Sequence, residues 1–285
     1  MMRKSSATPV LAFGASLLAF FVAYAGTFRR AADLYLHSPE EDMSFAWLVP
    51  VVSLYALWCE RDALKAAFAE ARFSWAGLAL SAPLVACGLL GVRGVQLRLE
   101  LVAFAGLCVT LPWTFLGWRF ARLVLFPAAY LLFLVPLSTF LDFATIHLRY
   151  VASGAALGVL RLFGVDAVRE GTAVVSHGAH PFAVDVAEPC SGLRSLFALM
   201  ALTAAYANFT QRTWAKRGLL FLCSVPLAVL GNVARILSIC LVASCCSPEF
   251  ATGFYHDYSG FVVFGVAIFA MVAVGEGLAK WPRAN

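Results

Sequence analysis

The chain has 285 residues, of which 62% are hydrophobic and only 13% are charged, and its mean hydropathy is +0.84. Soluble domains are usually about half apolar and a quarter charged, so this composition excludes an ordinary soluble protein and predicts a polytopic, all-α membrane protein. The net charge of +5 comes from Lys and Arg spread among short loops. That distribution is typical of membrane topology signals and argues against a nucleic-acid-binding protein.

Apolar runs along the whole chain predict about eight transmembrane helices in a single integral membrane domain, residues 1–285. Each run approaches the roughly 20 residues that an α-helix needs to cross a bilayer. The first run follows Arg3 and Lys4 and lacks a convincing signal-peptide cleavage site, so we interpret it as a retained span. The predicted spans are residues 9–26, 44–59, 74–91, 97–116, 121–137, 193–207, 218–244 and 260–279.

The segment between the fifth and sixth spans, residues 138–190, is predicted to lie outside the cytoplasm. Residues 140–163 are apolar but carry four charged or titratable side chains. Because a charge at mid-span costs about 2.5–3.5 kcal/mol, we expect an interfacial or re-entrant amphipathic helix there. Residues 172–176 and 181–187 alternate like strands, which predicts a small β-hairpin on the membrane surface.

The seventh run, residues 218–244, is too long for one simple span. Pro226, Gly231, Asn232 and Arg235 interrupt it, so we expect a broken or kinked helix that makes one net crossing.

Loop charges set the predicted orientation. With the N-terminus inside, eight spans place both termini and the basic loop at residues 212–217 in the cytoplasm. The loop that holds Arg93 and Arg98 is the one exception. If residues 140–163 also crossed, the loop at 212–217 would lie outside, against the charge rule.

A short stretch, FAVDVAEPCSGLRSL at residues 182–196, contains the most distinctive chemistry. Pro189 ends the strand-like part, and a helix is expected to begin near Leu193. Cys190 on the intervening turn would lie near the positive end of the helix dipole, a setting that lowers the pKa of a thiol and favours the nucleophilic thiolate. The alternative is that Cys190 is a small buried apolar residue, as free cysteines commonly are.

Two further polar groups fall on the same predicted side of the membrane. Asn232 and Arg235 share one helical face at a spacing of three residues. An arginine between apolar runs is a candidate functional residue, although it can also be one that snorkels to the interface. His256 lies just before the last span, where it is either a catalytic base or a solvated loop residue.

Together these residues supply the groups of a thiol acyl-transfer site. Cys190 would attack a peptide carbonyl and form a thioester. His256 would take the thiol proton and return it to the leaving amine, and Arg235 would stabilise the oxyanion. Supporting roles are predicted for Asn232, which can orient Arg235 or the substrate. The other predicted supporting residues are Arg194, near the turn, and Asp257, beside the imidazole.

Three segments in this order, AEPCSGLRSL, GNVARI and FYHDYSG, resemble the exosortase/archaeosortase family of polytopic membrane cysteine transpeptidases. The early segment FAWLVPVVSLYALWCERDAL is also similar, although Ser44-Phe45-Ala46 replaces the family's common Ser-His-Gly sequence. The resemblance implies a catalytic Cys, Arg and His at Cys190, Arg235 and His256.

The same resemblance implies the substrate and the location. Substrates would be secreted proteins with a C-terminal sorting signal: a short motif such as Pro-Glu-Pro, a transmembrane helix and a basic tail. Cleavage on the outer side of a bacterial inner membrane, within reach of membrane lipid, would pass the protein to an acceptor amine or to water. No cofactor is implied.

Two other functions remain possible from the sequence. A transporter or channel could use Arg235 and His256 to line its pathway, although no matched halves of the chain are visible. A serine protease could use Ser191, although the Gly-x-Ser-x-Gly context is absent. A metal site is not predicted, because His177 and His180 have no third ligand nearby.

Overall fold

The computed structural model describes residues 7–37, 43–136, 138–177, 181–184 and 193–281. The described chain is mostly helical and forms two compact units, Met1–Leu137 and Ser138–Asn285. Five of its helices are long and apolar enough to cross a membrane: Leu11–His37, Trp75–Arg93, Leu97–Leu116, Trp214–Cys245 and Tyr258–Lys280. The chain is therefore a multi-pass helical membrane protein, as its composition predicts.

The described helices of the first unit are α1 (Ala7–His37), α2 (Leu48–Cys59), α3 (Arg61–Ala69), α4 (Trp75–Arg93), α5 (Leu97–Leu116) and α6 (Trp118–Tyr130). A 3₁₀ turn, Ser44–Trp47, precedes α2, and a second, Leu131–Leu134, follows α6. Each predicted span in this half overlaps one described helix, and the number of crossings stays a prediction. Helix α3 lies between the predicted spans 44–59 and 74–91, where no helix was predicted.

Helices α4 and α5 form the closest pair in this unit. A Cβ atom on Gly77 would lie 2.5 Å from the backbone nitrogen of Thr114, and one on Gly91 would lie 2.8 Å from Cγ of Glu100. Small residues at these positions let the two backbones approach, which is how helices commonly associate in lipid. Helix α1 packs on the same pair, with the rings of Phe20 and Phe104 stacked 5.1 Å apart.

A buried carboxylate joins α1 to α5. The side chain of Glu100 is fully buried. It accepts a 2.5 Å hydrogen bond from Oγ1 of Thr27 and forms an ion pair with the guanidinium of Arg30. Its second oxygen, Oε1, has no hydrogen-bond partner among the described residues. By contrast, Glu70 and Arg119 form an ion pair in which both side chains are exposed.

The second unit adds a small sheet to five more stretches of helix. Its described elements are α7 (Ser138–Leu162), β1 (Ala167–Glu170), β2 (Ala173–Ser176), β3 (Phe182–Val184), α8 (Leu193–Thr210), α9 (Trp214–Cys245), α10 (Pro248–Phe250), a π-helical turn (Ala251–Tyr255) and α11 (His256–Lys280). The strands are antiparallel in the order β1-β2-β3, with Val174 opposite Val184. The sequence predicted two strands here, and β1, which ends in Arg169 and Glu170, is an addition.

The sheet packs on the C-terminal end of α9. Val174 and Phe182 of the sheet share one buried core with Ala156 of α7 and with Ile239 and Ala243 of α9. Open sheet edges do not occur in lipid hydrocarbon. We therefore expect this end of α9 to lie outside the hydrocarbon layer.

Helix α9 does not contain the break that was one of its two predicted forms, and the predicted kink stays a prediction. It runs from Trp214 to Cys245 without a break and contains Pro226, because a proline removes only one hydrogen bond of the helical ladder and neighbouring groups can compensate in a membrane helix. The non-helical backbone lies instead at Gly253, inside the π-helical turn that leads to His256.

Candidate active site

Helices α8, α9 and α11 pack together through shared apolar contacts. Leu199, Ala228 and Ala267, one from each helix, lie in one buried cluster. At one end of this bundle Lys216 Nζ donates a 2.8 Å hydrogen bond to the carbonyl of Trp281. The amide of Gln211 donates a 2.9 Å hydrogen bond to the carbonyl of Gly275. The end of α8, the start of α9 and the end of α11 thus meet in one polar layer.

Arg235 lies at the opposite end of the bundle. It follows Trp214 by 21 residues of continuous helix, a rise of about 30 Å. The hydrocarbon core of a bilayer has about the same thickness. Arg235 is therefore separated from the polar layer around Lys216 by about the thickness of the hydrocarbon core. His256, the first residue of α11, lies at the same end of the bundle as Arg235.

The guanidinium of Arg235 is held by the backbone of His256. Nη2 of Arg235 donates a 3.1 Å hydrogen bond to the carbonyl oxygen of His256. The hydroxyl of Ser259 donates to the same oxygen, also at 3.1 Å. Nε of Arg235 is buried and has no hydrogen-bond partner among the described residues. The guanidinium is thus anchored through one nitrogen, with a second N–H donor left for another group.

A small cleft of about 30 Å³ lies beside this guanidinium. Its polar lining includes Ser195 of α8 and Asn232 and Arg235 of α9, and Gly260 of α11 forms part of its wall. A space of this size holds one or two waters or a single small group. The remaining walls are apolar, so an N–H donor here acts in a medium of low dielectric constant, where it stabilises a developing negative charge more strongly than in water.

All three sequence motifs contribute to the cleft. AEPCSGLRSL supplies Ser195, GNVARI supplies Asn232 and Arg235, and FYHDYSG supplies Gly260. The structure therefore brings together two of the predicted residues, Arg235 and Asn232, and places the backbone of a third, His256, in contact with Arg235.

Sequence reasoning missed the role of the glycines in these motifs. A Cβ atom on Gly260 would lie 3.2 Å from Cζ and 3.3 Å from Nη2 of Arg235, closer than nearly all real contacts. A Cβ atom on Gly231 would lie 3.2 Å from Cγ1 of Val263 on α11. The two glycines therefore allow the close crossing of α9 and α11 that seats the guanidinium. The final glycine of FYHDYSG, Gly260, was the sequence feature that could have indicated this close crossing.

The other predicted site residues are not placed. Cys190, Ser191 and His180 lie outside the described residues. The side chains of Arg194 and Asp257 also lie outside them, although each is the second residue of a helix that the structure describes. Within the described part of the chain, no group of three or more His, Cys, Asp or Glu side chains could hold a metal ion.

The chain matches the sequence family described as transmembrane exosortase over residues 36–273, most of its length. No curated protein and no solved structure matches it significantly.

Proposed function

Because this chain belongs to the transmembrane exosortase family, we propose that it is a membrane-embedded thiol protease and transpeptidase that cleaves the C-terminal sorting signals of secreted proteins. Family membership supports a membrane transpeptidase for such signals. The observation that carries the finer proposal is the cleft lined by all three motifs, with Arg235 in its wall.

Chain connectivity supports Cys190 as the nucleophile. Cys190 precedes Leu193, the first residue of α8, by three residues. Three residues of chain span at most about 11 Å. The thiol is thus tied to the helix end from which Ser195 reaches the cleft.

The proposed reaction has two steps. The thiolate of Cys190 attacks the scissile carbonyl, whose oxygen becomes an oxyanion that the N–H groups of Arg235 stabilise. His256 protonates the leaving amine as the C–N bond breaks, and a thioester to Cys190 remains. An acceptor amine or water then attacks the thioester, loses its proton to His256 and releases the thiolate. Asn232 orients Arg235, and Arg194 orients the turn on which Cys190 is predicted to lie. Asp257 supports the imidazole of His256.

The proposed location is a bacterial inner membrane, with both termini in the cytoplasm and the site outside. Two features of the second unit support this orientation. The basic residues around Lys216 lie at one end of the bundle, where the positive-inside rule places the cytoplasm. The sheet and Arg235 lie towards the other end.

A transporter or channel that uses Arg235 and His256 is the alternative. The contact between these residues argues against it, because the guanidinium is tied to a carbonyl in a cleft of only about 30 Å³. That cleft is too small to form a continuous pathway through the described bundle.

The proposed function is tested by co-expression with substrates that carry a short C-terminal motif, a transmembrane helix and a basic tail. Loss of the tail should appear as a size shift on a gel. A matched substrate with a scrambled motif should keep its size. The absence of a shift with every motif, together with uptake of a solute by vesicles that contain the protein, would favour the transporter.

Gly260→Ala is expected to lower processing roughly tenfold, because the added methyl group displaces the guanidinium by a few tenths of an ångström. Gly265→Ala on the same helix is the matched control, since its Cβ would meet nothing within 4 Å. Both changes favour the helix by up to about 1 kcal/mol, so expression should not fall. Equal processing by the two variants would show that catalysis does not depend on the space that Gly260 leaves for the guanidinium of Arg235.

A further inference from the structure

The first unit contains a large apolar groove, separate from the candidate active site. Its volume is about 480 Å³, and residues from α1 to α3, α5 and α6 line it, including six phenylalanines. Ser53 is the one hydroxyl-bearing residue of its lining, and its hydroxyl donates a 3.0 Å hydrogen bond to the carbonyl of Pro127. A water needs two to four polar partners, so this groove does not hold ordered water.

The length of the groove suits a lipid chain. Its lining extends along α1 from Phe13 to Phe28, a distance of about 22 Å. One leaflet of a bilayer contributes only about 15 Å of hydrocarbon. A complete acyl chain therefore fits along the groove, whereas a transmembrane helix, about 10 Å across, would need a wider opening than this volume provides.

One end of the groove lies next to a layer of charged side chains. Leu64 of α3 and Phe120 of α6 line the groove. Helix α3 buries Ala67 and exposes Asp62 and Lys65, the pattern of a helix that lies in the membrane interface. The rings of Phe68 and Phe120 lie 6.5 Å apart, so α3 packs against the start of α6.

This charged layer is positive. The segments 60–72 and 118–122 carry five basic and three acidic residues. The three acidic residues include Asp62 and Glu70, which pair with Lys65 and Arg119. Among the described residues, no carboxylate lies within ion-pair distance of the exposed Arg122, which lies near the start of α6 in this layer.

We propose that the groove binds one acyl chain of an anionic glycerophospholipid, whose phosphate lies in the positive layer that includes Arg122. The apolar lining recognises the chain, and the excess positive charge selects an anionic headgroup over a zwitterionic one. The orientation inferred from the basic loops places this layer in the cytoplasmic leaflet, where anionic lipids attract basic interfacial segments.

The test uses the full chain in phosphatidylcholine vesicles with a trace of phosphatidylglycerol that carries a photoreactive group on its acyl chain. The labelled peptides should come from α1, α2 and α5, and unlabelled phosphatidylglycerol should compete. Leu57→Trp, which fills the groove, should remove this labelling. Leu90→Trp, on an exposed position of α4 outside the groove, should leave it unchanged.

The headgroup part of the proposal is tested separately. Arg122→Gln should lower labelling by phosphatidylglycerol about fivefold, the effect of one cation near a membrane surface. It should not alter labelling by the matching phosphatidylcholine probe, and Arg212→Gln should alter neither. Labelling spread over all spans in proportion to exposure would overturn the proposal. So would loss of labelling as protein density in the vesicle rises, which would show that a second copy fills the groove.

Discussion

Cys190→Ala should abolish processing of a sorting-signal substrate, with a loss on the order of 10⁶ in rate, the usual cost of removing a protease nucleophile. Alanine cannot form the thioester, and the remaining oxyanion donors accelerate only a slow attack by water. The measurement is the rate of tail removal from a purified substrate. Membrane insertion is checked from the yield of folded protein in detergent.

Two neighbouring variants make this result specific to the thiol. Ser191→Ala should process at nearly the wild-type rate, because its hydroxyl has no part in the proposed chemistry. Cys190→Ser should lose nearly all activity, since a hydroxyl is far less acidic than a thiol and the site is not arranged to activate it. The opposite pattern, a loss in Ser191→Ala and activity in Cys190→Ser, would establish a serine enzyme.

Arg30→Ala should destabilise the first unit by about 1–3 kcal/mol, the cost of leaving the buried carboxylate of Glu100 without its cation. This is less than for a fully buried pair, because the Arg30 side chain is 43% exposed and partly screened by solvent. Glu100 is fully buried, and its described partners are Arg30 and Thr27. Once Arg30 is gone, the carboxylate must either stay charged in a buried site or take up a proton, and both cost free energy. Equilibrium unfolding of the purified protein in mixed micelles measures the change.

The exposed pair supplies the control for this prediction. Arg119→Ala removes an equally close ion pair, but both side chains there are more than half exposed, so the loss should stay within about 1 kcal/mol. A double change, Arg30→Met with Glu100→Met, should recover much of the stability, because it leaves no buried charge. Equal losses in Arg30→Ala and Arg119→Ala would show that the burial of Glu100 does not matter.

The helical part of the fold was largely predictable from the sequence. Each predicted span overlaps a described helix because the pattern of long apolar runs is imposed by the bilayer and needs no tertiary information. Helix α3 was missed because it is short and highly charged, and long apolar runs do not reveal a nine-residue amphipathic helix. Strand β1 was missed because Arg169 and Glu170 weaken its apolar alternation.

Two residues of the predicted site, Asn232 and Arg235, line the described cleft, and the full set stays a prediction. The motifs singled out Arg235 and His256, yet they suggested no contact between the guanidinium and the backbone carbonyl of His256. That contact depends on the turn at Gly253 and on the close crossing at Gly260. Local patterns do not encode helix crossings, whereas the order of the three motifs along the chain was visible from the start.

The central claim is that Cys190 carries the acyl group of the cleaved substrate. The most direct test is the intact mass of the protein after it is mixed with substrate in the absence of an acceptor amine, followed by peptide mapping. The account predicts a covalent adduct with the mass of the N-terminal substrate fragment on Cys190, which neutral hydroxylamine removes and which Cys190→Ala never forms. Processing that continues in Cys190→Ala, or a hydroxylamine-resistant adduct on Ser191, would contradict it.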